Sequence, residues 1–350
     1  MKDNGVTISK GIAIILMVLG HAGCPGPLNA YLSMMRMHLF FFMSGYCFKE
    51  KYLTETKAYL TRRVTGIYWP YLKWSLFFLL IHNLCFLLNI YNGEYGFKDR
   101  TSHLYSLAEF VDHAISIITK MGGHEQLLGG FWFLKSLFVG SFIFYLTRLF
   151  VKSTPARMIV LLAMTVILSF TGWKLPYFAI GAREALGAFF LMTGHEYKTY
   201  RLKWHHHKTF FLAAILLVGI GSLYWPASMQ SFTYIKVLPY AITAVAGTLA
   251  IFYIANWIAT KQETKLWRLL VYTGGYTFNV LTWHFLSMKV VSLAIIGIYG
   301  LSIKQLAEFP VIESYAHDGW WIIYFIAGVA VPVGGTYIYH SVREKMDNKE

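Results

Sequence analysis

The 350-residue chain is 56% hydrophobic and only 14% charged, with a mean hydropathy of +0.48 and a net charge of +14. That composition excludes a soluble globular chain, because its repeated apolar runs are long enough to cross a hydrocarbon layer of about 30 Å. The cations fall in the loops between those runs, so membrane topology accounts for them and no nucleic-acid partner is expected.

Ten membrane helices are expected, over residues 6–23, 31–48, 67–91, 131–150, 157–172, 175–195, 209–226, 236–258, 276–300 and 320–340. They form an all-α polytopic bundle, one domain over 1–350. The first run contains KGIAIILMVLGH, which sets Lys10 and His21 eleven residues apart. That is about three helical turns, so the two side chains share a face and lie roughly 16 Å apart along the axis. Ionisable groups inside a membrane helix are costly to keep and by default mark a functional site. With those two residues and no small-residue cleavage site, the run reads as a retained span rather than a signal peptide.

Arg36 and His38 open the second run, close in depth to His21. Arg62 and Arg63 precede the third, as a topology anchor or as a grip on phosphate. Between 92 and 130, LAEFVDHAISIITKMGG is amphipathic and suits an interfacial helix or a lid. Trp132 and Lys135 follow in FWFLKSLF, where a Trp fits either an aromatic belt or a sugar face. Arg183 and Glu184 are neighbours in the sixth run, about 100° apart around a helix, so they need not pair with each other. The loop YKTYRLKWHHHK is basic and His-rich, but three adjacent histidines cannot all face one metal from a helix; no metal site is assigned, and a headgroup-facing loop is expected. His284 sits in the ninth run as a satisfied core histidine or a second site residue. Cys24, Cys47 and Cys85, an odd count in apolar surroundings, are expected to be buried thiols.

Charge orients the bundle. With the N terminus cytoplasmic, one side collects Lys49, Lys51, Lys57, Arg62, Arg63, Arg148, Lys152, Arg157, Lys198, Arg201, Lys203, Lys208, Lys261, Lys265 and Arg268, with Arg343, Lys345 and Lys349 in the tail. The other side has scattered cations such as Lys98, Arg100, Lys120, Lys174 and Lys304. This positive-inside pattern suits ten helices with both ends cytoplasmic.

KGIAIILMVLGH, then MHLFFFMSGYCF, RRVTGIYWPY, FWFLKSLF and GGYTFNVLTWHF, in that order, resemble the membrane-bound acyltransferase 3 family, the fucose 4-O-acetylase-like O-acyltransferases. The likeness runs from Lys10 to about Phe285. In that family the first helix carries Arg or Lys, ten residues, then His, and Lys10 and His21 match. Two positions depart from it: Thr7 stands where the family often has Asp, and Arg36-Met37-His38-Leu39 stands where it commonly reads His-Met-Pro-Leu. The resemblance implies a multi-pass enzyme of a bacterial inner membrane, in contact with membrane lipids. It would transfer acetyl from cytosolic acetyl-CoA, with no permanently bound cofactor, to a hydroxyl of a surface or exported polysaccharide or its lipid-linked precursor.

Acyl transfer to an alcohol needs a base for the hydroxyl proton and donors for the oxyanion at the thioester carbonyl. His21 is the expected base, Arg36 polarises the carbonyl or holds the acceptor, and Glu184 orients His21 or activates the acceptor. Lys10, Arg62 and Arg63 are expected at the CoA phosphates. His38, Trp132, Lys135, Arg183 and His284 complete the acceptor or secondary site. On this topology the donor enters from the cytosol with its pantetheine arm threaded towards an outward-open acceptor site. A transporter of a sugar or lipid-linked sugar is the alternative, although no internal repeat supports it.

Overall fold

The structure, a computed structural model, describes residues 4–97, 100–123 and 125–347; of the loop cations, Lys98 and Lys349 lie outside them. The chain is 78% helical with no strands among the described residues. In order the helices are α1 (Asn4–His21), α2 (Gly26–Ser33), α3 (His38–Tyr46), α4 (Thr56–Arg63), α5 (Trp69–Leu80), α6 (His82–Leu87), α7 (Leu107–Lys120) and α8 (Trp132–Phe150). They continue as α9 (Thr154–Thr171), α10 (Ala182–Thr199), α11 (Lys208–Tyr224), α12 (Val237–Ala259), α13 (Lys265–Gly275), α14 (Thr277–Tyr299), α15 (Glu313–Tyr315) and α16 (Trp321–Asp347).

Among the described residues six helical segments are long and apolar enough to cross a membrane: Asn4–His21, Gln126–Phe150, Thr154–Thr171, Tyr234–Ala259, Thr277–Tyr299 and Glu313–Asp347. The other four expected runs differ. The second is broken by a turn at 34–37 between α2 and α3, and the third breaks at Ile81 between α5 and α6. The sixth becomes helical only at Ala182, after a bridge between Leu175 and Ile180, and the seventh is a helix of 17 residues.

α10 is the pillar of the bundle, with every side chain from Glu184 to Met192 buried and α3, α8 and α9 packed around it. Small residues let its backbone touch α3 directly: a Cβ on Gly45 would lie 1.8 Å from the Leu191 carbonyl oxygen, and one on Gly194 would lie 1.9 Å from that of Phe42. At one end of the bundle the helices are tied by ions. Arg157 Nη1 donates to Glu196 Oε1 at 3.1 Å, while Glu50 takes Arg148 Nη2 at 2.7 Å and contacts His195 Nε2 at 2.6 Å. Arg148 and Arg157, read from sequence as loop cations, are therefore held in ion pairs, with Arg157 buried.

α1 packs against α12, α13, α14 and α16. Its apolar, proline-free sequence runs as helix until Gly23 adopts φ +77° and Pro25 follows, so His21 occupies the last turn. α7 is the amphipathic segment. A capping box starts it, with Ser106 Oγ accepting from the Glu109 amide and Glu109 accepting from the Ser106 amide, and its apolar residues Leu107, Val111, Ile115 and Ile118 point outward. Phe110, Ala114 and Ile117 pack on the bundle, so α7 lies against the protein with a second apolar stripe turned outward, as suits an interfacial helix. One member of the histidine-rich loop is docked, with the Tyr197 hydroxyl 2.6 Å from His205 Nδ1 and the buried His205 ring stacked on Phe252, while Lys198, Arg201, Lys203, His206, His207 and Lys208 are exposed. Among the described residues no group of three His, Cys, Asp or Glu could hold a metal ion. All three cysteines are free, Cys24 and Cys85 buried and Cys47, against expectation, exposed.

Candidate active site

Helix α1 joins three cavities. At the Lys10 end a cavity of about 450 Å³ is lined by Lys10, Arg62, Arg63, Ser44 and Cys47 among apolar residues of α3, α8 and α14. Three cations meet there, and no carboxylate is among the described lining residues. Arg63 is aimed by Ser44, to whose Oγ it donates at 2.9 Å, and by the Tyr59 ring 4.8 Å beneath its guanidinium; Arg62 donates to the Tyr52 hydroxyl at 3.4 Å. Tyr52, Arg62 and Thr65 also border an open groove of about 800 Å³ that adds Lys49, Lys51 and Lys57 against a single carboxylate, Glu55.

Met17, Met37 and Leu281 line the far part of the Lys10 cavity and are shared with a neck of about 50 Å³ that contains His21, Arg36 and Trp132. His21, Trp132 and Gln230 are shared in turn with a third cavity of about 340 Å³. Shared walls make the three spaces consecutive, and His21 stands where the neck meets the third. Among the described residues its imidazole has no hydrogen-bond partner; it packs on the rings of His284 and Phe285, with centroids 5.5 and 5.0 Å away.

Arg36 lies in the break between α2 and α3, which turns it towards α1. Its Nη1 donates to Asn29 Oδ1 at 2.9 Å, and its guanidinium rests on Gly20, the residue before His21, where a Cβ would come within 1.4 Å of Nη1. Glycine is required here because the guanidinium occupies the side-chain position. His284 faces the backbone carbonyls of Val280 and Leu281 with Nδ1, both at 3.0 Å. Carbonyls only accept, so Nδ1 carries the hydrogen and Nε2 the lone pair. That Nε2 is buried and has no partner.

The remaining expected residues fall into two groups. Trp132 lines the neck, and Arg183 stacks over its ring at 5.2 Å. Lys135 instead donates to the Phe178 carbonyl at 2.6 Å. His38 turns away from His21 into the packing of α10 and α12, fully buried, with Nε2 2.5 Å from the Tyr240 hydroxyl and Phe190 against its ring. Glu184 is spent on local structure: Ser136 Oγ donates to Oε1 and the Gly181 amide to Oε2, each at 2.8 Å, so its carboxylate caps α10 and does not orient His21. Glu184 falls in the first turn of α10, where the amides of a helix N-terminus lack intrahelical acceptors and so have the stronger claim on a carboxylate.

A profile of the acyltransferase 3 family, described as an acyltransferase domain, matches residues 3–340, essentially the whole chain. The chain belongs to the acyltransferase 3 family. No curated protein and no solved structure gave a significant match. Membership and the apolar helices together make this acyltransferase a multi-pass membrane protein. Several residues at its cavities were not legible in the sequence. Asn29 and Gly20 matter only through Arg36, which an intervening turn brings back onto α1. Gln230 comes from the 225–233 loop, and Glu125 sits between α7 and α8 with no apolar pattern to mark it.

Proposed function

We propose that this acyltransferase moves an acetyl group from acetyl-CoA to a hydroxyl of a bacterial surface or exported glycan, or of its lipid-linked precursor. The succession of three cavities along α1, cationic at the Lys10 end and meeting His21 at the other, is the observation that supports it. Lys10, Arg62 and Arg63 bind the CoA phosphates in the first cavity, the nucleotide extends into the lysine-rich groove beside it, and the pantetheine arm reaches through the Met17 and Met37 neck. His21 accepts the proton of the acceptor hydroxyl while that oxygen attacks the thioester carbonyl. Arg36 stabilises the oxyanion. As the carbon–sulfur bond breaks, the CoA thiolate leaves and recovers the proton from His21. The lone pair on His284 Nε2 steadies the imidazolium formed in between, and the packed walls of the neck keep water from the thioester. With the Lys10 end cytoplasmic, donor and acceptor arrive from opposite faces.

The test is release of free CoA by the purified protein on addition of envelope glycan. Release is expected from the wild type and is expected to be lost in His21→Ala, with an unchanged elution profile. Full release from that variant would remove the assignment of His21.

A further inference from the structure

The third cavity contains a carboxylate of which only one oxygen has a structural partner. Glu125 is 1% exposed and lines this space together with His21, Trp132, Gln230, Arg100 and Phe309. Its Oε2 lies 2.8 Å from His82 Nδ1, and His82 Nε2 donates to the His103 carbonyl at 3.2 Å. Since Nε2 carries a hydrogen, the contact between Nδ1 and Oε2 holds one further proton, resident on either partner. In both cases Oε1 is left as a hydrogen-bond acceptor, and it is buried without a partner. A buried carboxylate normally has both oxygens satisfied, because an unsatisfied polar atom costs about 1–3 kcal/mol.

The surroundings are built rather than incidental. Tyr105 stacks on the His82 ring, and Gln126 ties two walls together, accepting from the Phe97 amide at 2.8 Å and donating to the Ala307 carbonyl at 2.9 Å. The aromatic side chains of Trp132 and Phe309 and the Gln230 amide line the same space as the carboxylate. Aromatic faces for C–H surfaces, with carboxylate and amide groups for hydroxyls, are what a pyranose requires.

We infer that the Glu125 cavity is the acceptor subsite, in which Oε1 accepts a hydrogen bond from one sugar hydroxyl and so sets which neighbouring hydroxyl is presented to His21. This rests on the acyl-transfer reading and adds to it the place of the acceptor and a specificity-determining residue. His82 is the positioning residue behind it.

The test uses the full-length protein in detergent, acetyl-CoA, and oligosaccharides released by mild acid from the envelope of the cells that make it. Glu125→Leu, which removes the oxygen at similar volume, is expected to raise the half-saturating glycan concentration about tenfold or more, the worth of a hydrogen bond to a charged group. The half-saturating acetyl-CoA concentration should stay within twofold. Glu125→Gln, which can keep an oxygen at the Oε1 position, should recover most of the loss. An unchanged glycan response in Glu125→Leu, or equal shifts for glycan and acetyl-CoA, would overturn the subsite. If Glu125→Leu does not fold, Glu125→Asp, which draws the carboxylate back by one methylene, decides on the same two readings. If the wild type transfers no acetyl at all, acyl transfer from acetyl-CoA is what has failed. The subsite is then judged by calorimetric binding of the same oligosaccharides: binding lost in the variants supports it, and no binding to the wild type overturns it.

Discussion

Replacing Gly20 by alanine separates the role of Arg36 from the stability of the bundle. The new Cβ would lie 1.4 Å from Arg36 Nη1, 2.3 Å from Cζ and 2.8 Å from Nη2. Ordinary contact is about 3.5–4 Å, so the guanidinium must retreat by roughly 2 Å. Its 2.9 Å bond to Asn29 does not survive such a shift. Losing a hydrogen bond to a charged group costs about 1.5–3 kcal/mol, while alanine in place of glycine in a helix returns about 1 kcal/mol. The fold should therefore lose only about 0.5–2 kcal/mol, since the obstacle is the end of a flexible side chain. Catalysis should fall much further, because removing one oxyanion donor typically costs about 10²–10³ in kcat. The assay is kcat for CoA release, with KM for acetyl-CoA and the melting temperature measured on the same preparation. Gly297→Ala, whose Cβ meets nothing within 4 Å, is the control. A Gly20→Ala enzyme within threefold of wild-type kcat would refute the placement of Arg36 at the reacting carbonyl.

Cys47 is exposed on the wall of the cationic cavity, whereas Cys24 and Cys85 are buried. A maleimide should therefore label Cys47 first and block activity, and saturating CoA should slow the labelling; equal labelling rates with and without CoA would place the donor elsewhere. At the α3–α10 crossing the obstacle to a methyl is backbone. Gly194→Ala puts a Cβ 1.9 Å from the Phe42 carbonyl oxygen and should lower stability by about 1–3 kcal/mol or more, read as a drop in melting temperature. The α7 cap should depend on pH. Hydrogen bonds from His103, then from the Ser106 amide and hydroxyl, hold the Glu109 carboxyl down at about 2 against an ordinary 4.5. Its contribution to α7 is thus present above pH 4.5 and lost as pH falls from 4.5 through 2. Amide-exchange protection of α7 should be lower in Glu109→Gln than in the wild type at pH 7, with the gap closing across that interval.

The placement of Lys10 and His21 followed from spacing. Lys10 and His21 lie on one helix, so their separation and common face are consequences of helical geometry, and the cavities do open beside both. The same arithmetic could not choose between Arg36 and His38. Two residues apart on a regular helix they would face roughly opposite ways, but the 34–37 turn interrupts the helix, sending Arg36 to Gly20 and His38 to Tyr240. The number of spans was similarly underdetermined: hydropathy records that a run is apolar, not whether lipid or protein surrounds it. α10, encased by α3, α8 and α9, shows the difference.

The sequence by itself determined the class of this protein, its all-helical membrane architecture, its acyltransferase family and the pair on α1, because these depend on composition, periodicity and order along one chain. Only the tertiary structure decided what each polar group meets. It gathered Arg62 and Arg63 with Lys10 in one cavity, seated Arg36 on Gly20, spent Glu184 on a helix cap, and left Glu125 with an unpartnered buried oxygen on a cavity that His21 also lines. The physical reason is that a buried polar group is defined by its partners, and those partners come from helices far away in sequence.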